Sequence, residues 1–240
     1  MRAGDHPVRA VRDDLPSRAV RAVTRLQLPD STALHAQAAE GCRISPSALR
    51  NVEPILAQLD RHAPQTGRAL EIASGTGQHM VRYAARRPYL TWQPSDLNPA
   101  NMASIAAWRQ ASGAANILAP ITLDAGAPGW SAERGPLDLI VLVNVLHLIP
   151  EDTARTILSE IAAALAPGGV ALIYGPFLRD GVPTSEGDRR FHESLRAQDA
   201  RLGYKDAAWA AARLTEAGLT LPPPIEMPAN NLMFVARAQG

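Results

Sequence analysis

From about residue 45 onward, short apolar runs alternate with longer amphipathic ones. Residues 68–72 read as a short strand. Residues 78–87 read as a helix stopped by Pro88, whose ring cannot continue one. A strand over 90–95, a helix over 99–111 and a strand over 117–123 follow. Residues 137–143 (Leu-Asp-Leu-Ile-Val-Leu-Val) are apolar on both faces apart from Asp138, the mark of a buried parallel strand. In residues 151–165 Ile157, Ile161 and Leu165 recur every four positions, the spacing of one helix face. Pro167-Gly168-Gly169 predicts a tight turn, and 170–174 another buried strand. Strands and helices alternating over short links imply a parallel, doubly wound sheet.

Both ends depart from that alternation. Residues 207–217 read as a helix closed by Gly218. Residues 219–225 and 231–238 then read as two consecutive strands, joined by a short Pro- and Asn-containing link that pairs them antiparallel. Residues 176–204 interrupt the pattern with mixed charges and the aromatics Phe177, Phe191 and Tyr204. They read as a lid or substrate-side insertion above the sheet. Residues 1–40 hold scattered arginines, Asp13, Asp14 and several prolines. A helical pattern over 17–28 has no strong apolar face, so a disordered arm is expected, with 41–240 as a single domain.

Composition narrows the class. The 240 residues are 46% hydrophobic, enough for one large α/β core. A formal net charge of +1 argues against a polybasic nucleic-acid surface. Lys205 is the single lysine. Cys42 is the single cysteine, which rules out an intrachain disulfide and a cysteine metal cluster. No apolar run approaches the ~20 residues a membrane span needs, and no secretory leader is evident. A cytoplasmic protein without a nucleic-acid or membrane partner is expected. No His/Asp/Glu grouping has metal-ligand spacing, so no metal is expected either. Oligomeric state is left open.

The richest motif is Glu71-Ile72-Ala73-Ser74-Gly75-Thr76-Gly77, between a strand and a helix. Glycines at 75 and 77 permit a sharp turn and close approach to a ligand, with the next helix aiming its amides at it. Dinucleotide enzymes use the same device, but their third glycine falls where Met80 stands. Glu71 beside the loop suits a cationic ligand better than a pyrophosphate. A glycine turn with no ligand is the plainer alternative. Asp96, about 20 residues past the loop, occupies the ribose-binding position of such folds and has lone pairs for both ribose hydroxyls. It is alternatively a helix cap, a job for which Asn98 is better placed. Leu97 adjoins it. Asp124 and Ala125 end the third strand, where a plain turn is the local reading. Asn144 ends the long buried strand and points toward the crevice. His147 is a general base or orienting group, or simply structural, and Tyr174 ends the next strand on the same rim.

A parallel sheet finished by an antiparallel hairpin resembles the class I S-adenosylmethionine (SAM)-dependent methyltransferase fold. The expected fold is therefore α/β and Rossmann-like, a mostly parallel seven-stranded sheet with a C-terminal antiparallel hairpin. Ser45-Pro46-Ser47-Ala48-Leu49-Arg50-Asn51, Leu70 to His79, Trp92-Gln93-Pro94-Ser95-Asp96, Tyr174-Gly175-Pro176-Phe177 and Glu226-Met227-Pro228-Ala229-Asn230-Asn231 resemble blocks of the methyltransferase-like 26 family. The resemblance covers about residues 43–238. It implies SAM as cofactor, held by Glu71, Ala73, Ser74, Gly75, Gly77, Asp96, Leu97, Asp124, Ala125 and Asn144. It raises Arg50, Asn51, Tyr174, Phe177, Asn230 and Asn231 as substrate-side residues; His147, Tyr174 and Asn144 are the catalytic candidates by their place at the strand ends. Arg50 and Asn51 are expected in a helix covering the pocket. Departures lie on the substrate side: Leu148-Ile149-Pro150-Glu151 where the family has a tryptophan, no Ser-Asn pair in 184–188, and His192 where an acid is usual. Methyl transfer to a small molecule is the expected function. The alternatives are a non-catalytic SAM-binding or interaction protein and a nicotinamide-dependent oxidoreductase.

Overall fold

The computed structural model describes residues 40–240, so the expected N-terminal arm lies outside the described residues except at its last position. The first helix, α1 (Pro46–His62), begins where the Ser45 side chain accepts from the Ala48 amide and Pro46 presets the first turn. It buries Val52, Ile55, Leu56 and Leu59, a stripe at 3–4 residue spacing. Then come β1 (Gly67–Ile72), α2 (Gln78–Arg86), β2 (Leu90–Asp96) and α3 (Pro99–Ser112). The Asn98 side chain caps α3 by accepting from Ala100 N, and Gly113 ends it in the left-handed region.

After β3 (Ile121–Thr122) and the short α4 (Trp130–Arg134) come β4 (Leu137–Val143), a single 3₁₀ turn (Leu146–Leu148), α5 (Glu151–Ala164) and β5 (Leu165–Pro176). The chain closes with α6 (Glu186–Gln198), α7 (Ala207–Glu216), β6 (Ile225–Glu226) and β7 (Asn231–Arg237). The seven strands lie in the order β3-β2-β1-β4-β5-β7-β6. All neighbours are parallel except β5–β7 and β6–β7, which run antiparallel. The strand order reverses between β1 and β4, so a crevice opens beyond their carboxyl ends.

Two apolar layers fill the faces of the sheet. One packs α1 and α2 through Ile55, Leu59, Met80 and Tyr83 onto Trp92, Val141 and Leu172. The other packs α5 and α7 through Leu158, Ile161 and Leu214 onto Ile140, Leu142 and Phe234. Area burial on this scale, at roughly 25 cal/mol per Å², is what holds the helices to the sheet.

Three expected elements are corrected. The strand over 117–123 shrinks to two residues plus a bridge between Ile117 and Trp92. Pro120 has no amide to donate, and the Gln93 side chain takes the Ala119 carbonyl at 2.7 Å in place of a ladder bond. The strand over 219–225 is likewise reduced to β6 and a bridge between Thr220 and Arg237, because Pro222, Pro223 and Pro224 cannot donate. The turn expected at 167–169 is absorbed into β5 as a bulge, where the register shifts against Leu137 and Leu139.

Candidate functional site

Beyond the carboxyl ends of β1 and β4 lies a cleft of about 660 Å³, within the range of small-molecule sites. One wall is the β1–α2 loop. Ser74 N donates to Ser95 O (2.7 Å), tying the loop to β2. Gly75 N donates to Asp96 Oδ2 (2.9 Å). Gly77 has φ +87°, and a Cβ there would stand 2.9 Å from the Ile105 Cα, so glycine is required by both backbone and packing. At Gly75, also left-handed, a Cβ would meet nothing within 4 Å, because that face of the loop is open.

Asp96 is nearly buried. Oδ2 accepts from Gly75 N and from Asn101 Nδ2 (3.2 Å), and Oδ1 accepts from Asn98 N (2.8 Å). Three of its about four lone-pair directions are thus taken. That corrects the expectation of two free acceptor positions: one remains, on Oδ1.

Glu71 lines the cleft at 2% exposure, and its Oε2 has no hydrogen-bond partner. Burial raises its pKa to about 8; Ser74 opposes the shift and the Asp96 charge adds to it. Alone, the carboxyl keeps its proton near neutrality; a cation brought into the cleft would favour its ionised form. Behind it lies a buried polar cluster. His79 Nε2 sits 2.8 Å from Asn51 Oδ1 and its ring stacks on Tyr83 at 5.5 Å, joining α2 to α1. Burial holds His79 neutral, lowering its pKa to about 4. The Tyr174 hydroxyl is bonded to the Asn51 side chain, and burial pushes its pKa up to about 12.

The opposite wall uses other elements. Asn144 follows β4 with φ +57°, and its amide donates to Tyr174 O (2.8 Å). His147, on the 3₁₀ turn, is 6% exposed. Its ring meets Phe191 and Tyr204 edge-on at 5.8 and 5.9 Å. Burial, aided by the charge of Lys205, lowers its pKa to about 3. Asp188 of α6 and Asn231 of β7 complete this side. Five described residues other than glycine have positive φ, and Ala73, Asn144 and Ala229 among them line the cleft. Left-handed backbone at such residues is costly and concentrates at functional sites.

The structure therefore gathers Glu71, Ala73, Ser74, Gly75, Asp96, Asn144, His147, Arg50 and Asn231 around one cleft. Gly77 sits one residue behind it as the turn into α2. Other expected site residues fall elsewhere. Phe177 is a correction: it is 2% exposed and packs on Phe234 at 5.0 Å within the core. Asp124 is exposed and accepts from Gly126 N (3.0 Å), a turn residue outside the lining. Ala125 packs on the apolar layer there, and Leu97 is half exposed. Tyr174 and Asn51 bond each other behind the lining. Asn230 donates to Asp188 Oδ2 (3.0 Å) rather than facing the cleft. Arg43, Ser45, Ser47 and Asp188 line it without having been singled out by chemistry. Ser45 before Pro46, and Ser185 three residues before Asp188, were their readable signals, both as helix caps. No group of three or more metal-ligating side chains exists among the described residues.

The fold is that of class I SAM-dependent methyltransferases. An O-methyltransferase family protein from Burkholderia thailandensis superposes with a TM-score of 0.69 over 81% of this chain and 58% of its own, at 18% identity. Human N-acetylserotonin methyltransferase in complex with SAM gives 0.66 over 81% and 53%, at 17% identity. An O-methyltransferase family 2 protein from Planctomyces limnophilus, in complex with apigenin, gives 0.65 over 80% and 59%, at 16% identity. The chain thus spans just over half the length of these structures. Its own family is shown by a model matching residues 42–238: the chain belongs to the family described as "Protein of unknown function (DUF938)".

Proposed function

We propose that the protein transfers a methyl group from SAM to a small-molecule acceptor. The observation that carries this is one cleft lined both by the open glycine loop and by the buried Glu71 carboxyl, whose Oε2 has no hydrogen-bond partner. A sulfonium ligand with an α-ammonium offers both a cation for Glu71 and a ribose hydroxyl for the free position on Asp96. SAM, held by these residues, would supply an electrophilic methyl to an acceptor lone pair, the S–CH₃ electron pair staying on sulfur.

The chain's residues hold, orient and exclude water. Residues 73–77 with Glu71 and Asp96 hold the cofactor. Asn144 and His147 orient the acceptor, and α1 covers the loop side through Arg50 and Ser47. Orientation alone supplies roughly 7–11 kcal/mol when reacting atoms are aligned. With a pKa of about 3, His147 is a poor general base near neutrality and acts as a neutral hydrogen-bonding partner. The acceptor proton then leaves to solvent after or during transfer. The likeness of several blocks to the methyltransferase-like 26 family supports the same reading.

Calorimetry of S-adenosylhomocysteine binding tests it, followed by labelled SAM incubated with cell extract. The expected outcome is micromolar binding and label transferred to a small molecule. Binding of NAD without S-adenosylhomocysteine would sink the reading, and binding without any transferred label would leave a non-catalytic binder.

A further inference from the structure

We infer that the acceptor carries an ammonium or comparable cation beside an apolar body, received by Asp188 against Phe191 and Tyr204. This rests on the methyl-transfer reading above and names the substrate class of the same cleft.

The wall made by the ends of β4 and β5, the 3₁₀ turn, α6 and the β6–β7 link contributes neutral side chains to the lining, with one exception, Asp188. Its carboxylate is held by neutral donors only. Oδ2 accepts from Ser185 Oγ (2.7 Å) and Asn230 Nδ2 (3.0 Å), and Oδ1 from the Tyr204 hydroxyl at 3.3 Å. These bonds fix its direction and leave its charge in place. The two arginines that follow it, Arg189 and Arg190, pair instead with Glu186 and Glu193. No ion pair to Asp188 exists among the described residues. The adjoining lining is aromatic: Phe191 and Tyr204 stand edge-on at 6.1 Å, and His147 meets both. His147 adds no charge of its own, being held neutral by burial.

A fixed carboxylate beside aromatic rings is the combination that attracts an ammonium, through charge on one side and ring quadrupole on the other. An anionic acceptor would meet like charge there. Arg43 and Arg50 lie on the other wall, with Arg43 donating to Asn101 Oδ1 (2.8 Å) on the cofactor side.

The test uses the full chain saturated with S-adenosylhomocysteine and three probes of one shape: phenethylammonium, 2-phenylethanol and 3-phenylpropionate. The expected order is ammonium tightest by about tenfold over the alcohol, with the carboxylate weakest. Asp188→Asn should erase that order while leaving S-adenosylhomocysteine affinity unchanged. Asp188→Ala gives the same reading where Asp188→Asn unfolds early in a thermal melt. Phe191→Leu should weaken ammonium and alcohol together. Equal or reversed preference, no measurable ammonium binding, or a preference surviving Asp188→Asn overturns the inference. A role for Asp188 confined to capping α6 would lower the melting temperature without moving selectivity, which also counts against it. Failure of S-adenosylhomocysteine to bind removes the methyl-transfer reading itself; binding with no charge preference removes only the present inference.

Discussion

The loop wall of the cleft is made largely of backbone, whereas the wall under α6 is made of side chains. On the first, the amides of Ser74 and Gly75 are spoken for by β2, and glycine geometry sets the shape. On the second, His147, Phe191, Tyr204 and Asp188 meet from three separate stretches of chain. Backbone construction ties a site to the fold and tolerates little change. Side-chain construction lets one fold serve many acceptors, since each contact can vary without disturbing the sheet.

Substitutions should separate the two walls. The largest effect is expected at Asp96. Asp96→Ala removes the anchor of Gly75 N and Asn101 as well as the proposed ribose contact. Calorimetry should show S-adenosylhomocysteine affinity falling about 100-fold, with a melting temperature a few degrees lower. Loss of stability with intact affinity would mean that Asp96 serves the loop alone. Next, His147→Ala should lower turnover about 10- to 100-fold with cofactor affinity unchanged, measured by single-turnover transfer. A fall in cofactor affinity instead would erase the division between the walls.

A smaller effect is expected from pH. The folded-state value of Glu71, about 8, lies above its ordinary 4.5. Its contribution to stability is full below about 4.5 and is lost as pH rises through 8. His79 and His147 run the other way. Their values, lowered from 6.5 to about 4 and about 3, give stability present above 6.5 and lost as pH falls through those values. The ligand-free protein should therefore melt highest between the two limbs, and Glu71→Gln should flatten the alkaline one. Cation binding favours ionised Glu71, so SAM affinity should rise from pH ~7 to ~9 with a proton released. A flat profile in wild type would detach Glu71 from the cofactor. The smallest effects belong to Tyr174→Phe and Asp124→Ala, expected to change cofactor affinity less than about twofold, because both side chains lie outside the lining.

What could be read from the sequence follows the same division. β4, with its continuous apolar run, and the loop of Glu71 to Gly77 obey local rules of period and glycine geometry, so spacing alone located them. Asn98 was recognisable as the cap of α3 for the same reason. β3 and β6 were over-read because apolar content was weighed without the missing amides of Pro120 and Pro222 to Pro224. α6 escaped because its apolar face is short, Phe191 and Leu195 one turn apart in an otherwise charged segment. The family resemblance places Phe177 at the site, yet tertiary packing draws it to Phe234. Asp188 and its aromatic companions converge only after folding, and no local pattern announces that meeting.

Lys205 adds a practical handle. It is the one lysine in the chain, 7% exposed, with Nζ donating to the carbonyls of Ile149 (2.8 Å) and Gly203 (2.9 Å). Burial lowers its pKa to about 8, so near pH 8 much of it is an uncharged nucleophile kept from solvent by its own packing. A lysine-directed acylating reagent has a single lysine side chain to find here, and its Nζ is held by the carbonyls of Ile149 and Gly203. The rate of that one acylation therefore reports how often the packing around residues 149 and 203–205 loosens, readable by mass without any engineered label.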